Sequence, residues 1–283
     1  MSEHQEHLSS RDFARLCGLI YDVAGIRLGA EKKTMLEVRI KRRLRALNCD
    51  SYAAYCNGLF HNGKTHEEVV HFIDVVTTNK TDFFREPGHF AFLMERGLRE
   101  MSARRQGTRP LLLWSAGCSS GEEPYTLAML LSDYAEREPG FRFNILATDI
   151  STTVLEKAVR GIYSSAIVEP VPMAMRRKYL MRSRSRQSDE VRIVPELRRL
   201  VEFRRLNFMD DDYGIAEMAD AIFCRNVLIY FDRPTQERIL MKLIRCLLPH
   251  GYLFVGHSET LHDMNLPIVP IAPALYRKIS NGF

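Results

Sequence analysis

The stretch Leu111-Leu-Leu-Trp-Ser-Ala-Gly-Cys-Ser-Ser-Gly-Glu-Glu-Pro-Tyr125 decides how this chain is read. Its apolar start, Leu111 to Trp114, has the character of a buried strand. Small residues from Ser115 to Gly121 interrupt it. A helical pattern then begins, with Glu122 and Glu123 in its first turn and Pro124 near its start, where a missing N–H costs little. Strand, small-residue loop and helix in that order let an α/β fold bring backbone N–H groups close to a ligand. Gly117 and Gly121 leave room for that approach because neither carries a Cβ. Taken alone, the pattern is equally that of an ordinary tight turn between a strand and a helix. The spacing is not the Gly-x-Gly-x-x-Gly of dinucleotide sites.

Downstream segments extend the pattern. Phe143 to Ile150 reads as a second strand ending in Asp149, where a carboxylate of a βαβ unit typically accepts hydrogen bonds from ribose hydroxyls. Ser151 is placed to cap a helix running to Arg160. Asp220 to Phe231 is another apolar strand running into polar residues, with Arg225 and Asn226 at its end. Ligands of open α/β sheets bind outside the carboxyl ends of the strands, so these two residues face the expected cleft. Pro234–Leu248 reads as a helix, and Gly251–Val255 and Ala274–Ile279 as strands forming an antiparallel edge. Alternation of strand and helix from Pro110 onward predicts a parallel α/β sheet.

Before the sheet the pattern is helical. Ser9 or Ser10 caps a helix with Phe13, Leu16, Ile20 and Val23, and Gly25 ends it. A second helix spans about Ala30 to Leu47, a third opens at Ser51, His61–Lys64 is a turn, and His66–Val76 is a fourth helix. These four predict a small bundle over 1–78, with residues 1–8 unstructured. A linker and helix at 79–109 lead into a catalytic domain at 110–283. Within that domain Gly161–Lys178 reads as irregular. The basic stretch Met181–Glu190, with the β-like runs Val191–Val194 and Leu200–Leu206, reads as the hairpin loop of a small β insertion at about 180–206.

Composition agrees with a globular protein: of 283 residues, 46% are hydrophobic and 27% charged, and no apolar run approaches the ~20 residues of a membrane span. The N-terminus has no signal-peptide core, and a cytoplasmic location is expected. Six cysteines without a C-x-x-C pair predict free thiols in a reducing compartment. Nine histidines show no metal spacing, and no metal is expected. A net charge of +5 suits an acidic partner without requiring one. No element points to assembly, and a monomer is expected.

Five blocks in order resemble the chemotaxis receptor methyltransferase (CheR) family. They are Thr77–Pro87, Trp114–Tyr125, Ala147–Ile150, Phe223–Phe231 and Gly256-His-Ser-Glu259. The resemblance implies a Rossmann-like methyltransferase sheet that uses S-adenosylmethionine, leaving S-adenosylhomocysteine, with a small β subdomain and an N-terminal all-α domain. It implies glutamates on the cytoplasmic methylation helices of bacterial chemoreceptors as the substrate. It places Asn79, Thr81 and Arg85 at the cofactor's methionine end, although Asn79 and Thr81 also suit helix capping. Asn207 and Phe208 border the adenine, although Asn207 is also a common turn residue. Gly117, Glu123, Asp149, Arg225 and Asn226 complete the cofactor set; Glu123 suits equally a capping acid favoured by the helix dipole. The N-terminal domain would contact the receptor through the basic second helix, with Arg39, Arg42 and Arg43 on one side of it, although a charge run is usually a solvated face. In family members that bind a receptor's C-terminal pentapeptide the β-subdomain loop is glycine-rich. Here it carries Arg182, Arg184 and Arg186 and no glycine, which argues against pentapeptide tethering and leaves a solvated loop or contact with a regulatory protein.

The chemistry is consistent with that family. A glutamate carboxylate, with a reference pKa of about 4.3, is ionised at neutral pH and needs no general base to be nucleophilic. The enzyme's task is alignment and exclusion of water. Arg85 can pair bidentately with a carboxylate, and Tyr230 can donate one hydrogen bond and wall the pocket; both are the expected catalytic residues. A nucleic-acid methyltransferase is the first alternative. It lacks support from Arg225–Tyr230, which is not Asp-Pro-Pro-Tyr, and no aromatic residues interleave with the arginines. A catalytically silent regulatory module that binds the cofactor is the second, and a nicotinamide-dependent dehydrogenase comes last because of the glycine spacing.

Overall fold

The computed structural model describes residues 7–61, 66–104, 109–183, 185 and 188–280. The chain opens with α1 (Ser10–Ala24), whose Ser9 cap accepts from the Asp12 N–H and whose C-terminus passes into Gly25 at φ 70°. A 3-10 turn at Ala30–Lys32 leads into α2 (Lys33–Ala46), followed by α3 (Tyr52–His61) and α4 (His66–Val76). Leu16, Ile20, Leu36, Ile40, Cys56 and Phe72 bury one another as the core of this domain. Residues 1–6, and 62–64 of the expected turn, lie outside the described residues. Leu8 corrects the expectation for 1–8: it is fully buried, and its N–H donates to Glu37 at 2.9 Å.

After the linker, α5 (Pro87–Phe92) continues through a π-turn at Leu93–Gly97 into α6 (Leu98–Arg104). Then come β1 (Leu111–Ala116), α7 (Glu122–Arg137), β2 (Phe143–Asp149) and α8 (Thr152–Arg160), the last capped by Ser151 as its sequence predicts. The stretch expected to be irregular contains β3 (Ile162–Ser164) and α9 (Met173–Tyr179). β4 (Leu180–Arg182), β5 (Glu190–Ile193), α10 (Pro195–Arg198) and β6 (Val201–Arg205) follow. The chain ends with β7 (Ala219–Cys224), a 3-10 turn at Leu228–Tyr230, α11 (Arg233–Arg245), β8 (Leu247–Val255), β9 (Ile268–Ala272) and β10 (Leu275–Lys278).

Seven strands form one sheet in the order β6-β2-β1-β7-β8-β10-β9. The first five are parallel, and β10 returns antiparallel against β8, with β9 beyond it. Alternation along β1 shows why this strand must be wholly apolar. Leu111 and Leu113 join the core on one face of the sheet, Leu112 and Trp114 the core on the other. The chain leaves β1 for β2 on one side and returns with β7 on the other, so the crevice at their carboxyl ends is a topological switch point.

The small sheet has the order β3-β5-β4, and β4 and β5 form the expected hairpin. Its membership differs from the expectation. The run at Leu200–Leu206 does not join it; β6 instead pairs with β2, Ile145 opposite Val201, as the edge of the main sheet. The insertion therefore spans about residues 162–193, not 180–206.

Candidate active site

Three segments meet at the carboxyl ends of β1, β2 and β7. The first is the turn after β1. Gly117 and Cys118 donate their N–H groups to the Thr148 carbonyl at 2.8 and 2.9 Å, tying the turn to the end of β2. Gly117 has φ 87°, and a Cβ there would lie 2.5 Å from Val227 Cγ2. Asp149, at the tip of β2, accepts from the Ser119 N–H at 2.8 Å and the Ser151 N–H at 3.0 Å. Burial pushes its pKa up, and those N–H groups oppose the shift. A carboxylate has about four acceptor positions, so Asp149 keeps capacity for hydroxyl donors from the cleft.

The second segment is the end of β7. Arg225, with its side chain 3% exposed, donates Nη1 to Glu123 Oε2 at 2.9 Å and reaches Glu86 Oε2 at 3.1 Å. It also donates to the Arg85 carbonyl. Glu123 accepts from Ser115 Oγ at 2.7 Å through its other oxygen. Burial raises the Glu123 pKa, and the Arg225 guanidinium pulls it back. This buried ion pair therefore turns both side chains toward each other and uses much of their hydrogen-bonding capacity within the protein. Asn226, at φ 59°, donates Nδ2 to Glu86 Oε1 at 3.3 Å.

The third segment is the linker from Thr77 to Pro87. The Asn79 carbonyl accepts from Ser119 Oγ at 2.9 Å, which ties the linker to the first turn. Phe84 and Glu86 both have positive φ, at 55° and 56°, on either side of Arg85. Backbone of this kind costs of order 1 kcal/mol per residue and persists where surrounding contacts hold it. Arg85 donates to the Lys80 carbonyl at 3.1 Å and remains partly exposed at the cleft. Tyr230 Oη sits 3.5 Å from the Thr78 carbonyl. Burial raises the Tyr230 pKa, while the positive charges of Arg85 and Arg39 oppose it. Phe83, by contrast, is 1% exposed and packs edge-on against Tyr163 in the core.

These segments enclose a cleft of about 640 Å³, within the range of small-ligand sites. Asn79, Thr81, Arg85, Gly117, Glu123 and Asp149 line it. Asn207, Phe208, Arg225, Asn226 and Tyr230 line it as well, so every residue expected at the cofactor or the reaction reaches one cavity. The helical domain supplies a further wall through Arg27, Lys32 and Met35, which the sequence reading missed. Their signal lies only in the tertiary contact between domains: Arg27 N–H donates to the Tyr230 carbonyl at 3.0 Å, and Asn207 Nδ2 to the Val23 carbonyl at 2.6 Å.

The three expected docking arginines differ in their contacts and exposure. Arg39 donates to the Val76 and Thr77 carbonyls and to Thr78 Oγ1, so it holds the linker. Arg43 forms a paired contact with Glu68, its Nη2 2.6 Å from Oε2. They share a helix side with Leu36, Ile40 and Leu44, which are buried, and they turn inward with it. Arg42 alone of the three is exposed. Arg182 is exposed at the end of β4, and Arg184 and Arg186 lie outside the described residues. Among the described residues, Glu86, His89 and His257 bring one potential metal ligand each within 4.8 Å of one another. Glu86 is also an ion-pair partner of Arg225, which it shares with Glu123.

Two family models divide the chain between them. "CheR methyltransferase, all-alpha domain" matches residues 11–77, and "CheR methyltransferase, SAM binding domain" matches 79–271. The chain belongs to the CheR methyltransferase family. It is 42% identical over 257 residues to the chemotaxis protein methyltransferase of Salmonella typhimurium, covering 91% of this chain and 86% of the relative. The Escherichia coli protein of the same description is 41% identical, with 91% and 87% covered. Chemotaxis protein methyltransferase 2 of Pseudomonas aeruginosa is 39% identical, with 89% and 88% covered. The protein is thus a chemotaxis methyltransferase that takes its methyl group from S-adenosylmethionine.

The residues present fit that cofactor. A carboxylate with spare acceptor capacity stands at the tip of β2, Gly117 lines the cleft at φ 87° and lets the turn after β1 fold back beneath Val227, and the cleft volume suits a nucleoside with an amino-acid tail. Two further carboxylates stand next to cleft residues without lining the cleft themselves. Glu86 is the partner of Arg225 and Asn226 just described. Glu122, beside Glu123, is 3% exposed, and burial pushes its pKa up to about 7 against the hydrogen bonds from Ser120 Oγ. Among the described residues, no helix is long and apolar enough to cross a membrane.

Proposed function

We propose that the protein esterifies glutamate side chains on the cytoplasmic methylation helices of chemoreceptors. The observation that carries this reading is the placement of Arg85 and Tyr230 side by side on a cleft that the cofactor residues also line. Bound S-adenosylmethionine supplies an electrophilic methyl on a sulfonium. Asp149 accepts from the ribose hydroxyls. Asn207 and Phe208 border the adenine, and Asn79 and Thr81 receive the methionine end. Arg225 bridges Glu123 and Glu86, so the end of β7 adds a rigid wall in which one cation is shared by two carboxylates. Arg85 holds a carboxylate in place with its guanidinium, and Tyr230 donates one hydrogen bond to the acceptor and shields it from water. No proton is removed from the acceptor, which is already ionised. This suits a site where Tyr230, its pKa raised, stays protonated at neutral pH.

Residues 1–78 form the docking domain and 110–283 the catalytic domain, joined by the linker and helix between them. The exposed side of α2, led by Arg42 with Lys41 and Arg45, meets the acidic methylation helices. The protein acts in the cytoplasm as a monomer, and the loop after β4 is open to a regulatory protein.

The test is transfer of labelled methyl from S-adenosylmethionine to isolated chemoreceptor cytoplasmic fragments, followed by base treatment of the product. Base-labile label on glutamate is the expected result. Label that survives base means an amine or carbon acceptor and overturns the proposal. Arg42→Glu is expected to raise KM for the receptor fragment and leave S-adenosylhomocysteine binding unchanged.

A further inference from the structure

The Gly256-His-Ser-Glu259 block contributes no residue to the cleft lining, yet Glu259 is buried, at 7% exposure, beneath the turn that does. Its Oε2 accepts from the Asn226 N–H at 2.9 Å and the Gly256 N–H at 2.5 Å, and its Oε1 from the Leu228 N–H at 2.7 Å. Asn226 and Leu228 open the segment that leaves β7 and carries Tyr230. Gly256 packs so closely that a Cβ there would come within 2.5 Å of Asn226 Nδ2 and 2.9 Å of Glu259 Oε2. On the other side of the same segment, Val227 Cγ2 fills the space over Gly117. One carboxylate therefore sets the path of Asn226–Tyr230, and that path presents both Val227 to the cofactor turn and Tyr230 to the mouth of the cleft.

We propose that Glu259 is a positioning residue for methyl transfer. It touches neither cofactor nor acceptor; it holds the Asn226–Tyr230 turn against Gly117 and at the acceptor. The effect on turnover rests on the reading of Tyr230 given above, whereas the effect on cofactor binding rests only on the packing of Val227 over Gly117. A carboxylate is required because three donors converge on two oxygens. A carboxamide of the same volume offers one acceptor oxygen and turns an NH₂ toward an N–H. A shorter carboxylate keeps the acceptors and loses part of the reach.

The experiment compares the full-length wild type with Glu259→Gln, Glu259→Asp, Tyr230→Phe and the Glu259→Gln/Tyr230→Phe double variant. Melting temperature, calorimetric Kd for S-adenosylhomocysteine, and kcat and KM with a chemoreceptor fragment are measured well below the melting transition. Glu259→Gln is expected to weaken S-adenosylhomocysteine about tenfold and to lower kcat at least tenfold, the scale of one to two misplaced buried hydrogen bonds. Glu259→Asp is expected to recover part of both. The double variant is expected to lose less than the product of the two single losses, because each acts on the same hydroxyl. Glu259→Gln that melts earlier yet keeps wild-type Kd and kcat overturns the proposal and makes the carboxylate purely structural. Multiplicative losses in the double variant overturn action through Tyr230. Should Tyr230→Phe prove as active as wild type, the reading of Tyr230 fails, and Kd alone decides: tenfold weaker binding supports the positioning role and unchanged binding overturns it. If Glu259→Gln does not fold, Glu259→Asp carries the same comparison.

Discussion

The turns that follow β1 and β7 stand side by side at the carboxyl ends of adjacent parallel strands, and they are held in different ways. The turn after β1 is shaped by missing side chains: Gly117 and Gly121 have φ of 87° and 98°, where a Cβ would strike Val227 and Ala158. The turn after β7 has no glycine and is shaped by carboxylates reaching in from outside, Glu259 onto its backbone and Glu86 onto Asn226 and Arg225. The first fold-back is written where it occurs, and the second depends on residues about 30 and 140 positions away. A turn of the first kind is broken by adding atoms, and one of the second kind by removing charge.

Gly117→Ala tests that difference with the largest effect. The new Cβ meets Val227 Cγ2 at 2.5 Å, and the backbone is strained besides. Affinity for S-adenosylhomocysteine is expected to fall at least tenfold, measured by calorimetry, with a loss of about 2–3 kcal/mol in stability. Adding Val227→Ala is expected to recover the contact part and leave about 1–2 kcal/mol of positive-φ cost. Full recovery would mean that the conformation, unlike the contact, carries no strain.

Asp149→Asn follows in size. The carboxamide cannot accept from both the Ser119 and Ser151 N–H groups and also from a ribose, so one buried donor is left unpaired. KM for S-adenosylmethionine is expected to rise by roughly ten- to a hundredfold, equivalent to about 1–3 kcal/mol, with kcat less affected.

Glu122 gives a pH signature confined to the first turn. Its folded pKa of about 7 lies above the reference value of 4.5, so the folded state binds more protons than the unfolded state between those limits. Stability is unaffected below about pH 4.5 by this group and falls as pH rises toward 7, by up to about 3 kcal/mol in all. Denaturant unfolding of Glu122→Gln across that window is expected to show a flatter profile than the wild type. An unchanged slope would assign the pH dependence to other groups.

The smallest effect belongs to the second turn. Asn226→Gly keeps a residue at ease with φ 59° and removes only the 3.3 Å bond to Glu86. A change in stability within about 0.5 kcal/mol is expected. Asn226→Ala, which lacks that ease, is expected to cost about 1–2 kcal/mol more.

Legibility followed the same division. The strand-to-helix turn after β1, the acid at the tip of β2 and the Ser151 cap were readable because each depends on neighbours in sequence. β6 was misplaced because the run at Leu200–Leu206 sits beside the hairpin in sequence but pairs in parallel with β2, more than fifty residues back. β3 and α9, three and seven residues long, are too short for a period to emerge. Helical spacing put Arg39 and Arg43 on one side of α2 without saying that this side faces inward; Leu36, Ile40 and Leu44 decide that once packed. Leu8 is one apolar residue in a polar terminus, and only the groove that receives it distinguishes it. Glu86 and Glu259 lay within recognised blocks, yet their roles came from where they reach and not from where they stand.

The helical domain and the cofactor cleft share a wall through the bond from Arg27 to the Tyr230 carbonyl and that from Asn207 to the Val23 carbonyl. Were a macromolecule to bind the helical domain, it and the small molecule in the cleft would be two ligands of one thermodynamic system. Any shift in that shared wall obeys reciprocity: whatever factor the first contributes to the affinity of the second, the second returns to the first.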